Sequence, residues 1–388
     1  MIDKSKKIIV CGYEIANNIA TITEALATAG CRVDSLVFGV NKFYQESKYT
    51  SVIQIPRYFQ IKGGPRIYRS IFLFLYFFKA MRTYEVFIFV WGKTFLPLSL
   101  DLFLLKALGK EVVVFNCGDD VRYRWIQTKV NESLGLKEFT GWDETSKSTY
   151  LENSSSFIKT FFTQKIEELS GCKIVSMRNQ ATFQKAQMYL FRFSTPKVVD
   201  NPKTTNDIPL IVHAPSDRIV KGTKEVLEAI DSLRDEGLEF EFELIENQVN
   251  SYVLTKLKSA DIVIDQPSTW IARFAAEGMA AGCAVIGGNN PQFEGIDDES
   301  PVIPFIRDPH DLASKLRDLI SNRDKRQLVM DESYFYWEQH YSPKAFANYF
   351  NAILSGTAKI IDPVQSHKEI LLMNSRNIFQ NILIRALY

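Results

Sequence analysis

Two stretches in the second half of the chain hold side chains whose types and spacing could do chemistry. The first is IVHAPSDRIVKGTKEVLEAI, Ile211 to Ile230, in which an apolar strand runs into a loop carrying Arg218, Lys221 and Gly222 and then into a helix opening near Thr223. A helix that starts just after a parallel strand offers free backbone N–H groups and the positive end of its dipole, which suits a diphosphate. Lys221 and Arg218 would add positive charge beside it. The competing reading is a solvated loop with incidental basic residues, and spacing alone leaves both open. The second stretch is DIVIDQPSTWIARFAAEGMAAGCAVIGG, Asp261 to Gly288, a strand, a loop, a small-residue helix and another strand. Glu277 stands in that helix among Ala275, Ala276, Gly278, Met279 and Ala280. An i, i+4 pair with Arg273 would explain it structurally, but with Arg preceding Glu such a pair stabilises by only ~0.3 kcal/mol. The favoured reading is that Glu277 accepts hydrogen bonds from ligand hydroxyls, with Gly278 and the alanines letting the helix approach sheet and ligand closely.

Periodicity and punctuation supply the elements that must position these groups. The second half reads as strand 209–213, helix 223–234, strand 239–245, helix 250–260, strand 261–265, helix 271–281, strand 283–287, strand 301–306 and helix 309–320. Alternating strands and helices at this spacing describe a doubly wound α/β domain. The first half opens with a β-loop-α-β pattern, strand 7–11, Gly12, a helix ending near Gly30 and strand 32–38. It continues with a helix around 66–82, strand 84–91, a helix 96–108, the strand KEVVVFNC, and a strand followed by a helix in CKIVSMRNQATFQKAQ. Strands that are apolar without alternation suggest a parallel sheet covered on both faces. The polar run VDNPKTTNDIP suggests a linker near Asn201 to Asp207, giving domains of 1–203 and 204–330, with helical candidates at 331–354 and 369–387 closing the chain.

Taken together, the two stretches resemble the donor-binding half of family-four retaining glycosyltransferases of the GT-B type. The resemblance lies in the HAPS…KGT opening (His213 to Ser216, Lys221 to Thr223) and the E-x-M-A-x-G-x-x-V-I close (Glu277, Met279, Ala280, Gly282, Val285, Ile286). The N-terminal half is similar more loosely, through the run that ends in NCGDDVRYR, and the 331–354 stretch resembles the closing helices of these enzymes. The resemblance implies two Rossmann-like domains facing each other across a cleft, with C-terminal helices crossing back. It implies that Lys221, with a nearby Arg, holds the donor diphosphate beside Gly222 and Thr223, and that Glu277 holds the ribose hydroxyls. It also places Gly12 in a loop near the donor phosphates, and Gly118, Asp119, Asp120 and Arg122 where acceptor or sugar would be positioned, with the aspartates as candidates for proton transfer. Three positions depart from the family pattern: Ser216 where an Arg is common, Thr269 where an acidic residue is common, and Cys117 in place of a His. Residues 123–170 and the last thirty or so fall outside the resemblance.

The expected activity is therefore transfer of a sugar from a nucleoside diphosphate sugar, the donor substrate, to a glycan or lipid-linked acceptor in surface polysaccharide biosynthesis, without a cofactor or metal. The alternative is a non-catalytic nucleotide-sugar or glycan-binding component of an assembly complex.

Composition narrows the field further. At 388 residues, 46% hydrophobic and 23% charged, the chain exceeds the size at which one core stops growing, and two domains are expected. Cys11, Cys31, Cys117, Cys172 and Cys283 form no C-x-x-C pair, and His213, His310, His340 and His367 are dispersed, so no metal spacing appears. The first apolar stretch is too short for a signal peptide, and the expectation is a cytoplasmic protein. No G-x-G-x-x-G follows an early strand, which argues against a nicotinamide-dependent oxidoreductase. The net charge of +1 conceals 27 Lys and Arg against 18 Asp and Glu in residues 1–200, and 19 against 27 thereafter. Residues 47–84 contain no acid but hold Lys48, Arg57, Lys62, Arg66, Arg69, Lys79 and Arg82. Such a face would attract an anionic membrane surface, making the protein peripheral at the inner face of the cell membrane. With no docking module present, nucleic acid is not an expected partner. The apolar run Ile71 to Phe78 is too short to span a bilayer and reads as a helix covering a sheet.

Overall fold

The strands anticipated from these apolar runs assemble into two separate sheets in a computed structural model of the chain. It describes residues 3–39, 48–54, 56, 64–92, 94–118, 120–121, 157–177, 184–267, 270–289, 299–362, 367–373 and 378–387. The first half contributes β1 (Lys7–Gly12), α1 (Asn18–Thr28), β2 (Arg32–Val37), β3 (Ser51–Val52), α2 (Gly64–Thr83), β4 (Val86–Val90), α3 (Asp101–Ala107), β5 (Glu111–Phe115), α4 (Phe157–Ser170), β6 (Lys173–Ser176) and β7 (Met188–Leu190). The second contributes β8 (Leu210–His213), α5 (Thr223–Asp235), β9 (Glu241–Leu244), α6 (Asn250–Leu257), β10 (Ile262–Ile264), α7 (Arg273–Ala280), β11 (Ala284–Gly287), β12 (Ile303–Pro304), α8 (Pro309–Ser321) and α9 (Arg323–His340). The chain closes with α10 (Pro343–Ser355), β13 (Ile360–Ile361), α11 (His367–Met373) and α12 (Ile378–Leu387).

In the first sheet the order is β13-β7-β6-β5-β4-β1-β2-β3, parallel except where β13 joins β7 antiparallel. In the second it is β12-β11-β10-β8-β9, parallel throughout. Both orders reverse direction at one place, between β1 and β4 and between β8 and β10. Open α/β sheets bind ligands at that switch point, outside the carboxyl ends of the strands. Every residue of β4 and β10 is buried, as expected for strands covered on both faces.

The chain divides into two compact units. One holds the described residues of 1–134, 150–192 and 347–388, the other those of 193–346. Residues 193–207, which include the linker expected from composition, are held as an extended strap within the second unit. Trp337 Nε1 donates to Thr195 Oγ1 at 2.7 Å, and the wholly buried Arg326 donates to Thr205 Oγ1, Asn206 O and the Leu319 and Ile320 carbonyls. Polar composition marked the segment as a linker, but its polar groups are the partners of buried side chains. The C-terminal part returns to the first unit, where Phe350 stacks on Phe115 and Tyr349 Oη donates to the Leu190 carbonyl.

Several helices differ from the sequence reading. The expected 96–108 helix is interrupted because Leu98 and Ser99 adopt positive φ, leaving a 3-10 turn at Pro97–Ser99 before α3. The 331–354 stretch belongs to two helices, α9 and α10, with Pro343 opening the second. The 369–387 stretch is likewise split into α11 and α12, whose Leu371 and Ile384 pack on Phe161. The helix expected in the rest of CKIVSMRNQATFQKAQ after β6 falls mostly on 178–183, outside the described residues, while 184–187 are not helical and lead into β7. α2 covers the sheet as expected, burying Leu73, Phe77 and Ala80, while Ile67, Ile71, Phe74, Leu75 and Phe78 face outward. Among the described residues, no helix is long and apolar enough to cross a membrane.

Candidate functional site

At the carboxyl end of β8, His213 is buried with both ring nitrogens engaged. Nδ1 lies 2.8 Å from the Ile264 carbonyl and Nε2 3.0 Å from Thr223 Oγ1. A carbonyl can only accept, so Nδ1 carries the proton and the Thr223 hydroxyl donates to Nε2. Burial holds the imidazole pKa down at about 4, so the ring is neutral. This bond ties the first residue of α5 to the second sheet at its switch point.

The loop between them is closed by its own groups. Asp217 Oδ1 accepts from the Ile219 and Val220 amides at 2.9 Å, and the Thr223 amide donates to the Arg218 carbonyl. Gly222 then takes φ +65°, with Pro267 packed where a side chain would stand, and α5 opens without a side-chain cap. The start of α5 thus has no side-chain cap, with Glu225 as the acid of its first turn.

Lys221 is not free. Its Nζ lies 2.5 Å from Asp265 Oδ1, just past β10, and Asp265 Oδ2 accepts from the Ala275 amide at the start of α7, 3.0 Å away. Asp265 is 1% exposed. The carboxylate thus fixes the ammonium across the β8/β10 switch point while two of the three lysine donors remain for a ligand. Arg218 points elsewhere: it forms a two-bond ion pair with Glu246, at 2.7 and 2.6 Å, on the exposed rim. Solvent screens that pair, so the guanidinium can change partner at little cost. Ser216, the departure nearest to it, is exposed.

Glu277 is 2% exposed, its Oε1 accepting from Asn250 Nδ2 of α6 at 3.2 Å. Burial raises its pKa, and Arg273, Asn250 and Lys221 pull it back. Arg273 itself donates to the Ser194 carbonyl and lies over the Phe193 ring. Asn250 Oδ1 is buried with no hydrogen-bond partner. A hydroxyl donor would satisfy it, which fits a ligand rich in hydroxyls beside Glu277. Close approach of α7 is visible at Gly278, where Val263 lies 3.1 Å from the position of an added Cβ. Lys221, Asp265 and Glu277 therefore share one electrostatic neighbourhood at one end of the second sheet. Asp265 and Asn250 escaped the sequence reading; the only signal for Asp265 was a carboxylate ending an otherwise apolar strand.

In the first unit, Gly12 and Gly118 end β1 and follow β5. Gly12 has φ +144°, and a Cβ there would collide with the Val90 carbonyl, so the sheet alone demands glycine. The end of α1 is already occupied: the buried Glu14 carboxylate accepts from the Ile19 and Ala20 amides at 3.2 and 3.1 Å. Asp120 accepts from the Cys117 and Gly118 amides and shapes that turn, and Asn18 Nδ2 donates to Cys117 Sγ at 3.8 Å. Beneath the turn lies the buried Glu167, bonded to Asn116 and Gln184, its pKa raised by burial to about 8. Asp119, Arg122 and Thr269 lie outside the described residues. Among the described residues, no cluster of His, Cys, Asp and Glu is arranged to hold a metal.

No protein-family model and no curated protein sequence matches the chain. Solved structures do. A sucrose-phosphate synthase from Thermosynechococcus elongatus aligns over 90% of this chain and 98% of its own, at 13% identity and TM-score 0.58. Anabaena HepE in complex with UDP aligns over 90% and 100%, at 9% identity and TM-score 0.56. WaaG, a glycosyltransferase involved in lipopolysaccharide biosynthesis, aligns over 90% and 100%, at 14% identity and TM-score 0.55. Identities this low speak to architecture, and on that ground the chain has the GT-B fold, with two Rossmann-like α/β domains in one polypeptide.

Proposed function

We propose that the chain is a glycosyltransferase that binds a nucleoside diphosphate sugar on its second unit and transfers the sugar to an acceptor hydroxyl. The observation that carries this reading is the convergence of Lys221, the uncapped start of α5 and Glu277 at the β8/β10 switch point. Breaking a glycosyl-phosphate bond places charge on the leaving diphosphate, so a cation and helix amides fixed at that spot stabilise the transition state selectively. Lys221 and the Thr223 helix end would supply that charge without a metal, Arg218 would join on leaving Glu246, and Glu277 with Asn250 would take the ribose hydroxyls. Asp120 shapes the turn in which Asp119 and Arg122 would meet sugar or acceptor, and the family-four resemblance sets Gly12 and Gly118 in the loops that would lie beside the donor. Retention at the anomeric carbon follows from the family-four resemblance. The acceptor is a glycan or lipid-linked glycan of surface polysaccharide biosynthesis, met at the cytoplasmic face of the membrane. The basic 47–84 segment and the fold shared with WaaG support that setting.

The test is a panel of nucleotide sugars, followed by transfer assays. A correct donor at about 100 Kd should stabilise the fold by about 2.7 kcal/mol. Lys221→Ala leaves the Asp265 carboxylate buried and unpaired, so Lys221→Ala/Asp265→Asn serves as the companion variant. Full transfer activity in either would rule the scheme out. One feature favours a binder without turnover: Glu14 fills the α1 helix end. Tight donor binding with no product over long incubation would establish that reading instead.

A further inference from the structure

The first sheet has its own switch point, between β1 and β4, and a cavity of about 710 Å3 opens beside it, with Tyr13 and Gly92 from the loops after those strands in its wall. That volume is within the range of small-molecule sites. Its lining is apolar in an unusual way. Ile71, Phe74 and Leu75 of α2 and Leu98 of the 3-10 turn all line it, and all four are left exposed. A surface helix ordinarily turns a polar face outward, whereas α2 buries one apolar face in the core and presents another here. Leu98 stands out over the cavity because the turn holds it at φ +56°, and the buried Asp101 locks that turn through Thr94 Oγ1 and the Phe95 amide.

Among the described residues, one cation stands at this apolar wall. Arg69 donates through Nη1 to Tyr13 Oη at 2.7 Å and lies over the Tyr13 ring, while its buried Nε has no partner. No carboxylate among the described residues pairs with it, and the whole segment from 47 to 84 contains none. A guanidinium with donors to spare, set beside exposed hydrocarbon, is complementary to an amphiphile with an anionic head.

We propose that this pocket takes the hydrocarbon chain of a lipid phosphate, with Arg69 on the phosphate, so that the acceptor is lipid-linked rather than a free glycan. The word acceptor rests on the glycosyl-transfer reading above; the binding itself does not.

Dodecyl phosphate, below its micellar concentration, is titrated calorimetrically into the full chain. Saturable binding at one site is expected, weakened about tenfold or more by Leu75→Glu and by Arg69→Gln, and at least as much when dodecyltrimethylammonium replaces the phosphate. Leu75 is exposed and Arg69 half-buried, and UDP binding, read on the same samples, reports the fold and the donor site. UDP failing to bind while dodecyl phosphate binds would sink the donor reading and leave the pocket standing. No saturable binding, or binding that both variants retain, overturns the proposal. It is equally overturned if the variants bind dodecyl phosphate normally and lose only co-sedimentation with phosphatidylglycerol vesicles, because the patch would then be a membrane-docking face.

Discussion

Asp265 restricts where the Lys221 ammonium can sit, and His213 restricts where Thr223 can. Both constraints cross from β8 or its loop to β10, so the start of α5 is anchored on each side of the switch point. Keeping His213 neutral matters here, since a charged ring would have to surrender the Thr223 hydroxyl as a donor. This has a measurable sign. The unfolded histidine takes up a proton below its ordinary 6.5, while the folded one refuses it until about 4. At this histidine the unfolded state therefore binds more protons in that window, and its contribution to stability falls as the pH drops through it, by up to about 1.4 kcal/mol per pH unit, against the opposite contribution of the raised Glu167 and Asp101 carboxyls. Urea titrations of wild type and His213→Gln between pH 4 and 6.5 should show wild type losing stability relative to the variant as the pH falls; a difference that does not change with pH would refute the assignment.

The two helix starts that follow a first strand, α1 and α5, have been put to different uses. α1 receives a carboxylate from its own loop, Glu14, whereas α5 opens on Gly222 without a side-chain cap, the acid Glu225 standing within its first turn. A glycine is likewise not one kind of signal. Gly278 thins α7 where it meets Val263, and Gly12 clears the Val90 carbonyl between neighbouring strands β1 and β4. Since the Gly12 obstacle is backbone, it cannot swing aside. Gly12→Ala should therefore cost about 3 kcal/mol in the absence of any ligand. A variant as stable as wild type in ligand-free thermal melts, but weak in donor binding, would show instead that a ligand needs the space.

Near-neutral net charge does not make the molecule electrostatically bland, because the first 200 residues carry an excess of nine positive charges and the remainder an excess of eight negative. Exposed Lys48, Lys79 and Arg82 belong to the positive part. Attraction to an anionic surface should follow the screening length, about 30 Å at 0.01 M salt and about 3 Å at 1 M. Flotation with phosphatidylglycerol vesicles is expected at the lower salt and lost at the higher, with neutral vesicles bound at neither. Binding indifferent to salt would remove the electrostatic basis for peripheral membrane association.

Fold class was readable in the primary structure because apolar runs of strand length alternating with amphipathic helices leave few ways to bury both faces of a sheet. The HAPS…KGT and E-x-M-A-x-G-x-x-V-I segments likewise singled out Lys221 and Glu277, which the fold brings to one end of the second sheet. Partnership was not readable. That Lys221 meets Asp265, that Arg218 meets Glu246 and that 193–207 straps onto α9 all depend on residues tens of positions apart being brought within 3 Å, and even the short reach of Glu14 to its helix end depends on how the loop between them turns. Local sequence sets each side chain's chemistry and the period of its element. Which charges are spent on one another is settled only when strand order and register place their ends side by side.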